Sequence, residues 1–303
     1  MDPYTPPEVT AMLIASGEKK ARQAYYLTLI KSLLGGWMIG FGANLVHVMH
    51  GGAGRLATEA PVIVNFLAAA FFPIPLLMIL ITGMELITAN LMAVPMAVAN
   101  GRVKVWEMPL NWVIVFFGNL AGVLVYAMLL AQCSELYTSP ALLEYTVSVA
   151  VKKTSLGWGV CVLRGIGCNF LVCMGVWLAT ASRDMASKII AMYLPAGLFV
   201  FLGFEHVAAN MYFVPMGMLN GAPISVGRYV GRSVVPSFIG NMLGGCLLGL
   251  PMVFLHHPPQ LPTFLSRRSS RASGASGATL EAFEEGPTRI SSRVEEEVQG
   301  DKV

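Results

Sequence analysis

Residues 83–101 read GMELITANLMAVPMAVANG, and residues 203–221 read GFEHVAANMYFVPMGMLNG. Nine of these nineteen positions are identical at an offset of 120: Gly, Glu, Ala, Asn, Val, Pro, Met, Asn and Gly. Pro75 and Pro195 extend the match upstream. Gly118-Asn119 with Gly122, and Gly240-Asn241 with Gly244, extend it downstream. Lys31 and Lys153 stand near the start of each half. Chance similarity between apolar segments is carried by Leu, Val and Ala, not by Gly, Glu, Asn and Pro. The chain is therefore read as two copies of one unit.

Each stretch lies in an apolar segment too long for one membrane helix, 62–99 in the first copy and 186–220 in the second. Glycine costs about 1 kcal/mol and proline about 3 kcal/mol in a helix interior. The expected structure is a half-helix, an extended loop near 83–90 or 203–210, and a second half-helix. Irregular backbone at membrane depth is tolerated only inside protein or along an aqueous cavity. Two such breaks facing one another define a central pathway. Half-helix N-termini would turn free N–H groups and positive dipole ends toward it, which favours an anion.

Composition places these segments in a bilayer. The chain has 303 residues, 55% apolar and 12% charged, with a mean hydropathy of +0.64. Soluble domains carry about 25% charged residues, so a soluble enzyme is excluded. The net charge of +3 is too small and dispersed for a nucleic-acid partner. A crossing helix needs about 20 apolar residues, and six spans are read: 28–49, 62–99, 109–132, 156–181, 186–220 and 234–255. Three spans per copy is odd, so the second copy enters from the opposite face, as in an inverted repeat. The fold expected is an all-α membrane protein. It has a cytoplasmic segment 1–27, a transmembrane domain 28–256 with repeats 28–135 and 153–256, and a disordered cytoplasmic tail 257–303 rich in Pro, Ser, Gly, Arg and Glu. Its Arg-Arg-Ser-Ser at 267–270 reads as solvated linker, with a basophilic kinase site as the alternative.

Lys and Arg sort unequally. Eleven fall on the side of the termini (Lys19, Lys20, Arg22, Lys31, Arg102, Lys104, Arg183, Lys188, Arg267, Arg268, Arg271) and five on the other (Arg55, Lys152, Lys153, Arg228, Arg232). Both termini are thus expected in the cytoplasm. The first apolar run is too long for a secretory signal and stays as a span. Cys133, Cys161, Cys168, Cys173 and Cys246 lie in or beside apolar runs with no CxxC pair. They read as buried thiols, and no metal or cofactor site is read.

Ionisable groups inside spans are functional candidates by default; here they are Glu85, Arg164, Glu205 and His206. His206 is the sharpest, because its counterpart is Leu86 and the shared scaffold does not require it. Glu85 and Glu205 are equivalent and read as loop scaffold with Gly83, Asn90, Gly203 and Asn210. Thr88, opposite Ala208, is a hydroxyl that one copy lacks. Lys31 and Lys153 read as symmetric cations at opposite mouths, with Lys152 inseparable from Lys153 by spacing. Arg164 has no mirrored partner. Phe71, Phe72, Leu76, Phe199 and Phe201 surround the breaks, and some narrow the pathway.

The segments GFEHVAANM at 203–211, TGMELITAN at 82–90 and GCN at 167–169 resemble the signature of the formate/nitrite transporter family over residues 10–256. The resemblance implies an aquaporin-like fold of six helices with the second and fifth broken, assembled as a homopentamer with one pore per protomer. It implies transport of small monovalent anions or their acids and no cofactor. It places the central histidine on His206, the loop threonine on Thr88, the loop-supporting asparagine on Asn169 and the vestibule lysines on Lys31 and Lys153. It puts the apolar constriction on Phe199 and Leu76. Lys152-Lys153 and Phe72-Pro73-Ile74 are similar to the apicomplexan branch, which implies lactate or formate moving with protons. Ile87, Ala89 and Leu76 depart from the common Phe, Gly and Phe. The expected partners are monocarboxylate anions, protons and the lipid bilayer, in a multi-pass protein of the plasma membrane. A neutral-solute channel of the water or glycerol type is the alternative, although no Asn-Pro-Ala occurs; a non-transporting scaffold or receptor is the third reading.

Overall fold

The computed structural model describes residues 2–258, so the tail expected from 257 lies almost wholly outside the described residues. All regular structure within them is helical. In order come α1 (Pro6–Arg22), α2 (Tyr25–Gly52), α3 (Leu56–Glu59), α4 (Pro61–Phe71), α5 (Pro73–Thr82), α6 (Ile87–Ala99) and α7 (Glu107–Tyr126). The second half has α8 (Pro140–Ser155), α9 (Trp158–Ala181), α10 (Met185–Phe201), α11 (Val207–Leu219), α12 (Val226–Tyr229) and α13 (Val235–His256). A π-helical turn, Ala127–Gln132, continues α7, and another, Val230–Val234, joins α12 to α13.

Six spans follow. Span one is α2, span three α7 with its π turn, span four α9 and span six α12 through α13. Span two is α4, α5 and α6, and span five is α10 and α11; both are broken. Proline begins α4, α5 and α8, where its missing N–H breaks no helical bond. Gly83 and Gly203 adopt φ of +68° and +69°, a left-handed stop that a side chain resists. Helix resumes at Ile87 and Val207, so the irregular segments span only 83–86 and 202–206. They are shorter than expected because Pro95 and Pro215 are accommodated inside α6 and α11 and the glycines alone make the break.

The halves are built alike. α2 packs on α7 and α9 on α13, through glycines that let the backbones touch. A Cβ on Gly122 would strike the Leu33 carbonyl, and one on Gly244 the Ile166 carbonyl. These pairs place α2 on α9 at an offset of 133, not 122. The first half holds extra residues around α3 that shift the register before the broken span. Two helices outside the expected spans extend the symmetry: α1 leads into α2 as α8 leads into α9. α1 buries Val9, Leu13 and Ile14 against Met92, Met96, Trp177 and Leu248.

Lys20, Arg22, Arg102, Tyr4, Arg183 and His257 share one face. Arg22 reaches the Arg102 carbonyl, Tyr4 the Ala181 carbonyl, and His257 the Pro7 carbonyl, while Arg183 lies over the Tyr4 ring. The flanks expose Phe66, Phe117, Leu163, Leu194, Leu247 and Leu255, a surface suited to lipid or another protomer. Phe71 and Phe201 also face outward, so they do not line the breaks. Cys161, Cys168 and Cys173 are buried, Cys246 is half-buried, and Cys133 is exposed rather than buried because α7 has left the packed region there.

Candidate functional site

Each break is held by one asparagine from the following span. Asn119 Oδ1 accepts from Ile87 N–H (2.9 Å), and its Nδ2 donates to the carbonyls of Ser32 (2.8 Å) and Glu85 (2.9 Å). Asn241 Oδ1 accepts from Val207 N–H (2.9 Å), and its Nδ2 donates to the carbonyls of Gly165 (2.9 Å) and Glu205 (2.8 Å). One side chain thus ties the C-terminal end of the break to the neighbouring helix, satisfying the N–H and carbonyl on either side of residue 86 or 206 that an unbroken helix would have paired. The Gly-Asn repeat marked these two residues without revealing this role.

Asn90 and Asn210 act on the carboxylates of their own breaks. Each donates Nδ2 at 2.9 Å to a carboxylate, Glu85 and Glu205 respectively. Both carboxylates are buried, and each meets a lysine. Lys153 Nζ bonds both Glu205 oxygens at 2.9 and 3.0 Å. Lys20 Nζ bonds Glu85 at 2.7 Å, and Gln23 Nε2 donates to the same group at 3.0 Å. The mirror of Lys153 is therefore Lys20, on the same turn of the leading helix, and not Lys31. Lys31 instead lies behind Gln23, donating to its Oε1 at 3.2 Å. Its backbone carbonyl accepts from Glu85 N–H as that of Arg164 accepts from Glu205 N–H. Arg164, expected to lack a counterpart, is the mirror of Lys31. Lys152 is exposed and separates from Lys153 by pointing away.

The breaks meet at the centre. His206 Nε2 lies 3.2 Å from Thr88 Oγ1, joining residues 118 positions apart. His206 also caps α11: its Nδ1 accepts from Ala209 N–H at 3.2 Å. A nitrogen that accepts carries no proton, so in the neutral ring Nε2 holds the hydrogen and donates toward Thr88. Asn169 braces this junction, donating Nδ2 to the carbonyls of Thr88 (3.1 Å) and Asn241 (2.7 Å). Most first-turn amides expected to be free are occupied. Those of Ile87, Ala89 and Asn90, and of Val207, Ala209 and Asn210, all have acceptors. The polarity offered at the centre comes from His206, Thr88 and the paired helix dipoles.

An apolar screen adjoins it. Phe72, Leu76 and Phe199 are all buried. The Phe72 and Phe199 rings meet edge-on at 5.7 Å, and Phe199 lies 5.4 Å from the His206 ring. From either lysine inward the order is cation, carboxylate, then a buried centre with one imidazole and one hydroxyl. Such a chain of groups can attract an anion, strip its water and offer a proton at one point; it holds no activated nucleophile for covalent chemistry.

A formate/nitrite transporter family model matches residues 7–255. The uncharacterised transporter YrhG of Bacillus subtilis is 35% identical over 254 residues, covering 83% of this chain and 93% of its own. The formate channel BtFdhC of Bacillus thuringiensis is 33% identical over 243 residues, 80% of this chain and 91% of its own. Formate-nitrite transporter 3 of Toxoplasma gondii is 32% identical over 247 residues, 79% of this chain but 49% of that longer protein. Two solved structures share the fold. A pentameric formate channel with formate bound has a TM-score of 0.68 at 24% identity, covering 77% of this chain and 97% of its own. A family ion channel has a TM-score of 0.74 at 23% identity, covering 82% and 98%.

Proposed function

This chain belongs to the formate/nitrite transporter family, and from that premise we propose that it carries small monocarboxylates such as formate, lactate, acetate and pyruvate together with a proton. The observation carrying this reading is the His206–Thr88 contact, 3.2 Å across the meeting point of the two breaks. The repeat supplies Leu86 and Ala208 at the mirrored positions, so this polar pair is an addition to a scaffold that forms without it.

The physical obstacle is charge. Carboxylic acids titrate near ~4, so the substrate reaches the protein as an anion, and a bare charge in an apolar throat costs many kcal/mol. Lys20 and Lys153 draw the anion into the two mouths. Dehydration beside Phe72, Leu76 and Phe199 raises its proton affinity. It takes a proton from water or by way of His206 and crosses as the neutral acid, so anion and proton move together. The ordered Nε2–H of His206 lets the imidazole donate to the incoming oxygen while Nδ1 stays engaged with α11.

Exposed apolar flanks fit a homopentamer, the state named for one structural relative, with a pore in each protomer. The basic face bearing Lys20, Arg102 and Arg183 fits the cytoplasm, which puts both termini there in a plasma-membrane protein. The test is uptake of labelled formate and lactate into proteoliposomes across a pH series, with and without a membrane potential. Flux that rises as external pH falls and ignores the potential is expected. His206→Phe, still assembled, should abolish it. Full flux in that variant, or pH-independent glycerol flux in the wild type, refutes the reading.

A further inference from the structure

A second polar cluster lies on the Lys153 side, away from the pathway. His47 and Asn44 of α2, Tyr126 of α7, Tyr137 of the next connection, Thr146 of α8 and Tyr212 of α11 are buried together. Tyr137 Oη donates to Asn44 Oδ1 at 3.0 Å and lies 2.9 Å from Tyr212 Oη. Asn44 Nδ2 donates to Tyr126 Oη at 3.2 Å. His47 Nδ1 lies 3.1 Å from Tyr137 Oη and 3.3 Å from Thr146 Oγ1.

The hydrogens in this cluster are countable. The Tyr137 hydrogen goes to Asn44, and the Thr146 hydrogen goes to the Leu142 carbonyl at 2.8 Å. Neither hydroxyl has one left for His47, so both accept and Nδ1 is the protonated nitrogen. His47 Nε2 is then a bare lone pair, buried without a partner among the described residues. The working atom of His47 is its Nδ1–H.

The other half shows what the scaffold needs at this place. The register carries Asn44 onto Trp177, Thr146 onto Leu13, Tyr212 onto Met92 and Tyr126 onto Leu248. Those four residues form one apolar cluster. The same packing site is therefore filled mainly by apolar packing on one face, where His47 itself is matched by Thr180, whose hydroxyl turns back to the Val176 carbonyl of its own helix, and by a hydrogen-bond network on the other.

We propose that His47 is a positioning residue for Lys153, acting through α8 and Phe213. This rests on Lys153 being the anion-gathering cation of its mouth. Thr146, Ala150 and Lys153 recur at i, i+4 and i+7, one stripe along α8. The donor of His47 fixes that stripe at Thr146, and Ala150 seats against Gly217 of α11. Phe213 joins the two ends: its ring stacks on His47 at 5.0 Å and 28°, and Lys153 Nζ stands 5.6 Å above it. Rotation of α8 and placement of the Phe213 ring together decide where the ammonium meets Glu205. Directional bonds set that rotation; apolar packing sets it at Leu13 and Lys20, with the same seven-residue spacing.

His47→Asn keeps an N–H at the δ position, whereas His47→Leu has similar bulk and no donor. The full chain in vesicles of one orientation is first labelled with an amine-reactive reagent and read by mass spectrometry. His47→Leu should label faster at Lys153 and unchanged at Lys20, with His47→Asn close to wild type at both. Formate flux is then measured in both directions at equal pH. Detailed balance requires Vmax/KM to fall equally in the two directions. For His47→Leu, flux starting at the Lys153 face should show KM raised about tenfold, the scale of one charge-assisted hydrogen bond, with Vmax unchanged. Flux starting at the Lys20 face should keep its KM and lose Vmax by the same factor. A purely structural defect lowers Vmax both ways with both KM values intact, and that result overturns the proposal. Wild-type labelling of Lys153 in His47→Leu, or His47→Asn behaving like His47→Leu, also overturns it. Shifted labelling in a protein whose wild type moves no formate upholds the positioning and refutes the transport reading instead.

Discussion

Replacing Asn241 by Leu should cost as much stability as replacing Asn119 by Leu, although the two lie in different halves and share no partner. The swap keeps the branching and heavy-atom count of the side chain and removes three bonds. In Asn241→Leu the orphans are Val207 N–H and the Glu205 carbonyl, and in Asn119→Leu they are Ile87 N–H and the Glu85 carbonyl; the carbonyls of Gly165 and Ser32 keep their bonds within α9 and α2. All six bonds measure 2.8 or 2.9 Å and are buried. Interhelical bonds in membranes average about 0.6 kcal/mol, which sets a floor of roughly 2 kcal/mol for three. A buried backbone group left unpaired costs about 1–3 kcal/mol, which for two orphans sets a ceiling of about 6 kcal/mol. We expect about 4 kcal/mol from each, a large share of the roughly 5–15 kcal/mol that holds a protein folded. Denaturant titration in bicelles, followed by tryptophan fluorescence, measures both. A loss under about 1 kcal/mol in either variant refutes the view that these asparagines replace the missing helical bonds. So does a clear inequality between the two.

Lys153→Met should destabilise by about 3–5 kcal/mol, because Glu205 is left charged and buried; Lys153→Met with Glu205→Gln should recover most of it in the same titration. Phe199→Ala should raise the lactate-to-formate flux ratio by opening the apolar screen beside His206, and unchanged selectivity would remove Phe199 from the constriction. Glu8, outside the spans, accepts from the Thr5 hydroxyl and amide at 2.7 Å each, and these bonds hold its carboxyl below the usual value. A depressed folded value means the bonds support α1 above the unfolded carboxyl's titration and fail as pH falls through the folded one. Amide exchange at the start of α1 should therefore quicken on the acid side, and Glu8→Gln should flatten that response.

The breaks were legible because they need unusual residues. Gly83 and Gly203 must turn left-handed, and buried Glu85 and Glu205 must be answered by Asn90 and Asn210 five residues on. Such demands leave identical letters in both copies. The register of the first helices was not legible, because close packing of α2 on α7 and of α9 on α13 asks only for small residues at the contact. At the true offset Lys20 matches Lys153 and Lys31 faces Arg164, with few identities around them. The offset of 122, correct for Asn119 and Asn241, pairs Lys31 with Lys153 and misleads. The extra residues around α3 shift the frame between α2 and the break, and hydropathy alone carries no mark of that shift. α8 stayed invisible for a related reason: its buried stripe of Leu142, Thr146, Ala150 and Thr154 is half polar, and its pattern reads as loop.

Inverted repeats separate scaffold from chemistry by subtraction. What both halves keep is the asparagine clamp, the lysine–carboxylate pair and the left-handed glycine; each answers a need of backbone or charge that recurs at both breaks. What only one half keeps has no such need behind it. His206 against Leu86 and Thr88 against Ala208 survive this test and meet at 3.2 Å in the centre. Their contact is asymmetric in a second sense: the imidazole comes from one copy and the hydroxyl from the other, so neither half alone contains the pair. A three-span ancestor pairing with itself would present two identical breaks, Leu86 facing its own copy or His206 its own. A homodimer built from either half alone should therefore form the clamp and the ion pairs yet lack the mixed donor pair at the centre. Two unlike copies in one chain are what let a single imidazole stand at the midpoint without a second one opposite it.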